Sequence, residues 1–378
     1  MPITLRSTIY DAESRPEFER IAFFPSLCLL RDGTILAGMQ VGSKKHAPNS
    51  TARLARSHDQ GATWEEIAWK FETNLDGIPG SLGAPELVEA EPGRLLLFAT
   101  WFDRSEPERP LFDPVTQGIL HSRLLVAVSS DGGTTWGPWQ RIPTPGLAGC
   151  ASTGPVLRWP NGSIAYAFES FKEFDDPQPG HHAAWLAVSH DGGRSFGPPL
   201  RVAQHPAHEL YYWDQRLCVA GENGEFLALF WTHDLVSQRD RTVHLTRGRI
   251  ADGWMEVQAP SPTSLPGQIA APLLLQDGRL LAFVVDRDRP GTLKLWTSRD
   301  GGSTWPEAEA GVVHAHEERA QLSQGREQID FRQYWEDMGK WSFGHPVVRQ
   351  VGPHRVLLVW YAGTPQAMSI HCARLDLT

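Results

Sequence analysis

Cysteine is scarce in this chain: four residues in 378, at positions 28, 150, 218 and 372, far apart and with no CxxC pair. That argues against a disulfide scaffold or a thiolate metal site. Cys28, Cys218 and Cys372 lie in apolar strand-like runs and read as buried free thiols. No run approaches the roughly 18 apolar residues of a membrane helix. The first twenty residues, MPITLRSTIYDAESRPEFER, lack the apolar centre of a secretory signal, so the expected location is the cytoplasm. Basic residues are in deficit, 35 Lys and Arg against 44 Asp and Glu, and they do not cluster. Neither nucleic acid nor an anionic membrane is expected as a partner. What the chain does have is 15 Trp, 35 Gly, 29 Pro and a 41% hydrophobic content. This fits a large core of many short strands joined by turns.

One octapeptide recurs. Ser298-Arg-Asp300-Gly-Gly-Ser-Thr-Trp305 has copies at Ser57–Trp64, Ser129–Trp136 and Ser189–Phe196, all matching S-x-D-x-G-x-[TS]-[WF]. Asp and Ser or Thr oxygens can accept or donate within a turn, Gly supplies positive φ, and the closing aromatic anchors the next strand. The Asp residues stand 72, 60 and 109 residues apart, the last being close to two periods. A period of about 60 in 378 residues gives about six units, a repeat architecture in one domain spanning 1–378.

The octapeptide resembles the Asp-box, or BNR repeat, of the sialidase superfamily. The resemblance implies an all-β fold, a six-bladed β-propeller with four-stranded antiparallel blades. In that family the box lies on the outer turn of a blade, away from the active site, so these Asp residues are expected to be structural. Residues 3–10 alternate as a lone strand and are expected to complete the last blade, so that the N-terminal strand closes the ring and hides a sheet edge.

Each unit opens on an apolar inner strand with a phased proline: Phe24-Pro25, Ala84-Pro85, Gly154-Pro155, Ala271-Pro272 and His345-Pro346. The fourth has Asp214-Gln215 instead. Proline is tolerated where a strand begins, which places these positions near a central channel. Residues 247–254 read as a degenerate box. The longer loops, 42–50, 102–121, 170–182, 232–241 and 287–291, fall on the face opposite the boxes, the expected site face. A long insert at about 314–344 reads as a partly helical lid over 316–335.

Sialidases clamp a substrate carboxylate with three arginines and use Tyr, Glu and Asp, and here that set does not transfer. The first clamp position falls at Phe23-Phe24-Pro25, the second at Trp231, and the third at Arg289 or Arg287. The first-blade loop carries no acid, the Tyr position holds His345, and Asp214 alone survives in kind. The expected function is therefore a sialidase-like glycoside hydrolase of non-sialidase specificity, using two carboxylates at the channel mouth. A lyase using His345 or Tyr361, or a non-catalytic sugar-binding propeller, are the alternatives. Candidate catalytic residues are Asp214, Glu169, His345 and Glu86. Glu169 closes the apolar run Ile-Ala-Tyr-Ala-Phe, where burial raises the pKa as a general acid requires. Expected substrate-binding residues are Arg289, Arg287, Arg216, His233, Asp234, Trp101, Tyr212 and Tyr361, the aromatics suiting sugar stacking. His181-His182 and His233-Asp234 have no third ligand in sequence, so neither a metal nor another cofactor is expected.

Overall fold

The computed structural model describes residues 3–251, 253–287, 291–317 and 331–377. Among these the secondary structure is almost entirely strand, with one α-helix, Phe331–Lys340. The strands form successive antiparallel meanders in chain order. Their first strands are Ile21–Leu29, Gly80–Glu91, a split pair Gly149–Ala151 and Val156–Arg158, Leu210–Val219, Ala270–Leu274 and Phe343–Gly352. Leu27, Glu86, Val156, Arg216, Ala271 and Pro346, one from each, line a single cavity, so the first strands surround a shared axis. The N-terminal strand Ile3–Tyr10 runs antiparallel to Ala367–Asp376, with Ile3 opposite Leu375 and Tyr10 opposite Ile370. It is the fourth strand of the last meander. A parallel bridge, Ile21 to Met368, joins that meander to the first.

The four recurring octapeptides share one set of hydrogen bonds. In the second copy Ser129 Oγ donates to Asp131 Oδ1 and accepts from Gly133 N, while Asp131 also accepts from the Thr134 and Thr135 amides and the Thr135 hydroxyl. Gly132 and Gly133 both have positive φ, the conformation that favours glycine, and in the first copy Gln60 takes it at the place of Gly132. Trp136 folds back to donate its indole N–H to Gly133 O at 3.2 Å, and Trp305 does the same to Gly302 O at 2.9 Å. The turns join third strands to fourth strands, such as Ser122–Ser129 to Gln140–Arg141. They therefore lie at the end of each meander away from the second-strand C-termini. Residues 247–254 do not form a fifth copy: they span the hairpin His244–Ala251 to Trp254–Val257, and Trp254 is half exposed rather than an anchor.

Packing between meanders is aromatic and aliphatic. Phe98, Tyr166 and Phe168 fill the seam between the second and third, and Phe283, Leu358 and Trp360 that between the fifth and sixth. Each such ring contributes about 1.5–3 kcal/mol relative to exposure. All four cysteines are buried free thiols. Of the span expected as a partly helical lid, 316–335, the described residues show the end of strand Gly311–His316 and the start of helix Phe331–Lys340, and 318–330 lies outside the described residues.

Candidate functional site

The first strands carry a repeated irregularity. The pairing register slips between Phe23 and Ser26, Gly83 and Glu86, Trp213 and Arg216, and Gly344 and Val347, so two residues bulge from each strand at one level. The leading residue of each bulge has positive φ: Phe24 at 48°, Ala84 at 44°, Asp214 at 45° and His345 at 50°. A non-glycine residue there costs of order 1 kcal/mol or more, and such strain concentrates at functional sites. The side chains of all four residues line one pocket at the channel mouth, which encloses about 880 Å³ including its solvent-open part. The fifth strand, Ala270–Leu274, pairs without a slip.

In the other five meanders the second bulge position or its equivalent is Pro, which has no N–H. In the fourth it is Gln215, and its backbone N–H donates to Glu169 Oε1 at 3.2 Å. Its side-chain amide donates to Phe168 O and Trp185 O at 2.7 and 2.9 Å, tying this bulge to the second and third strands of the preceding meander. Glu169 lies one residue after Phe168 on strand Ile164–Phe171 and faces the same pocket as Asp214. It is 4% exposed. Burial, reinforced by the negative charge of Asp214, pushes its carboxyl well above the usual carboxylate range. Asp214 is less enclosed, and its Oδ1 is a buried acceptor with no hydrogen-bond partner among the described residues. Arg216 Nη2 approaches that oxygen at 3.9 Å. The two carboxylates thus differ in environment, one desolvated and one beside a guanidinium.

Arg216 is buried beneath the pocket floor and also donates to His345 Nδ1 at 2.8 Å. Burial, with Arg216, Lys45 and Arg287 as neighbouring cations, holds His345 well below the usual imidazole range. His345 is therefore a neutral acceptor. Arg287 lines the pocket, donating to Gln268 Oε1 at 2.8 Å and lying 3.9 Å over the Trp341 ring. Tyr361 lines it as well, its hydroxyl accepting from Lys45 Nζ at 2.9 Å. Asp214, Glu169, His345, Arg287 and Tyr361 are thus brought together, with Arg216 directly below. Arg289 lies outside the described residues.

Five expected site residues are elsewhere. Glu86 is 5% exposed and points under the floor: a Cβ on Gly154 would come within 2.1 Å of its Oε1, and it lines the cavity on the opposite side. Burial raises its carboxyl to about 7 against the lowering effect of Arg216 and Arg349. Trp101 is spent on the second meander, its indole donating to Thr73 O at 2.8 Å. Tyr212 alternates away from the pocket into the seam with Phe230 and Leu157, because Trp213 takes the pocket face. His233 and Asp234 shape the loop: His233 stacks parallel to Trp213 and meets Asp240 at 3.0 Å, and Asp234 accepts from Arg241 and from the Val236 and Ser237 amides. His182 is buried, with Nε2 at Tyr212 O, 3.0 Å away.

Sequence reasoning missed Lys45, His46, Thr153, Phe112, Trp335 and Met338, all on the pocket wall. The signal for Lys45 and His46 lay in the 42–50 loop, where two positive residues and a histidine stand where an acid was sought. The other signal was the loss of proline at Gln215, which restores a backbone donor where a carboxylate needs one.

No family model matches the chain. A curated sialidase of Micromonospora viridifaciens is 34% identical over 119 residues, 30% of this chain and 18% of that protein, so the match spans less than a fifth of the relative's length. Among solved structures, a protein of unknown function from Dyadobacter fermentans has a TM-score of 0.72 at 18% identity, covering 100% of this chain and 99% of that one. An α-L-arabinanase of Penicillium chrysogenum, complexed with arabinobiose, has a TM-score of 0.61 at 13% identity, covering 100% and 99%. The chain has the sialidase-like propeller fold.

Proposed function

We propose that this chain is a glycoside hydrolase of non-sialidase specificity in which Glu169 is the general acid and Asp214 the nucleophile or general base. We read the whole chain as one six-bladed propeller closed by the N-terminal strand, its site at the channel mouth opposite the Asp-box turns. The observation that carries the reading is the environmental split between two carboxylates of one pocket: Glu169 desolvated, Asp214 beside Arg216 with an orphan buried oxygen. Such a split separates acid from base or nucleophile. The protonated Glu169 donates to the glycosidic oxygen as the C–O bond breaks, and Asp214 stabilises the developing oxocarbenium charge or delivers water to it. Lys45 and Arg287 add positive charge, which suits a sugar bearing acidic or strongly polar groups. The likeness to a sialidase and to an arabinanase supports glycoside chemistry as the class. Against the lyase alternative, the His345 nitrogen nearest Arg216 accepts from it, which occupies the lone pair a base would use.

The test is a panel of 4-methylumbelliferyl glycosides and unlabelled oligosaccharides, read by fluorescence, by reducing ends and by ultraviolet absorbance of unsaturated products. Turnover should appear as reducing ends without unsaturation, and Glu169→Gln and Asp214→Asn should each lower it about 10²-fold or more with the melting temperature kept. Full activity in either variant, or unsaturated products, overturns the assignment.

A further inference from the structure

The pocket has two unlike halves. One is polar: Asp214, Glu169, Lys45, Arg287 and the orphan acceptors or donors His46 Nε2 and Thr153 Oγ1. The other is a continuous apolar wall of Leu111, Phe112, Ile119, Phe171, Trp335 and Met338. Phe112 and Trp335 stack at 3.7 Å between centroids, 14° apart in plane, and Phe171 meets both edge to face at 5.4 and 6.3 Å. Trp335 and Met338, three apart on helix Phe331–Lys340, present one face to the wall, and Lys45 fixes that helix by donating to Met338 O at 3.0 Å.

The wall is built onto the acid's own strand. Glu169 and Phe171 are two residues apart and share a face. Ala151 and Gly149 lie opposite them. The small partners clear the space: a Cβ on Gly149 would come within 2.5 Å of Ile119 Cγ2, and one on Gly118 within 1.8 Å of Glu173 O, so the 102–121 segment packs down only because both are glycine. Thus the carboxyl of Glu169 stands at the border of the two halves. A proton from it can be given at the boundary between Asp214, Lys45 and Arg287 on one side and the aromatic wall on the other.

Resting on the proposed hydrolase reading, we infer that the leaving group is a flat, largely apolar ring and not a second sugar. A sugar can stack a C–H face on such rings, but the side chains of this wall, Trp335 aside, offer its hydroxyls no polar atom, and each hydroxyl buried without a partner loses roughly 5- to 100-fold in affinity, whereas an aryl face placed there gains from burial and from edge-to-face contacts. No new bond chemistry is involved: the ring leaves as its own hydroxyl compound, carrying the proton given by Glu169, and water supplies the hydroxyl to the sugar.

The experiment is calorimetry at neutral pH with 2-naphthol as the isolated ring, and with aryl and methyl glycosides of the same sugar bound to Glu169→Gln, so that intrinsic leaving-group reactivity does not enter. Saturable binding of 2-naphthol to the unaltered protein, about 10-fold or more preference for the aryl glycoside, and about 10-fold weaker naphthol binding in Trp335→Ala and Phe112→Ala are the expected results. Absence of saturable naphthol binding, or equal affinity for aryl and methyl glycosides, overturns the inference even where hydrolysis is observed. Naphthol binding that depends on Trp335 with no glycoside turned over keeps the apolar subsite and removes the hydrolase. If an aromatic-to-alanine variant fails to fold, the comparison in the unaltered protein still decides.

Discussion

Glu86→Gln isolates the charge held beneath the pocket. Glu86 is buried beside Arg216, and burial carries its carboxyl from 4.5 to about 7. A raised carboxyl pKa means the folded chain holds a proton that the unfolded chain has already released above pH 4.5. The stability tied to that proton is complete below the unfolded pKa and is lost as pH rises through about 7. At about 1.36 kcal/mol per unit, the two units between pH 5 and pH 7 amount to about 2.7 kcal/mol. Glutamine fills the same space and does not titrate, so this loss disappears. The assay is urea or guanidinium unfolding of both proteins at pH 5 and pH 8, followed by tryptophan fluorescence. The stability difference between variant and parent should move by about 2–3 kcal/mol toward the variant at the higher pH. A difference constant within about 0.5 kcal/mol across that range would falsify the picture of a neutral carboxyl under Arg216.

Asp131→Ala removes the acceptor of four turn hydrogen bonds; because the turn is exposed and water replaces part of them, the cost should be about 1–3 kcal/mol, seen as a lower melting temperature with unchanged turnover per folded molecule. Turnover lost at an unchanged melting temperature would contradict its placement away from the site. Gly149→Ala forces its Cβ against Ile119, so overpacking of about 1–3 kcal/mol is expected together with weakened ligand affinity, whereas a variant matching the parent in both thermal unfolding and binding would show that the 102–121 segment does not depend on that approach.

The strand content, the period of about 60 and the far-face turns were legible in the sequence because they rest on local chemistry: a Ser, an Asp and a glycine close the same hydrogen bonds wherever they occur. The N-terminal strand was legible for a similar reason, since an alternating segment ahead of the first repeat needs a partner edge. Within the site, Glu169 and Asp214 could be nominated from an apolar strand end and a broken proline phase, both of which are sequence patterns. Which way a side chain points was another matter. Tyr212 and Trp213 are adjacent and equally suited to a sugar, and the pleat alone sends one to the seam and the other to the pocket. Glu86 follows a channel proline as Asp214 precedes Gln215, yet the bulge turns it under the floor, where burial instead of solvent sets its charge. Lys45, Phe112 and Trp335 come from loops and a helix separated by up to 290 residues, and no local pattern relates them. The sequence by itself determined the repeating unit and its turns, because those are settled by neighbours in the chain; the tertiary structure decided the pocket, because its polarity, its strain and its proton-holding groups arise only where distant meanders exclude water together.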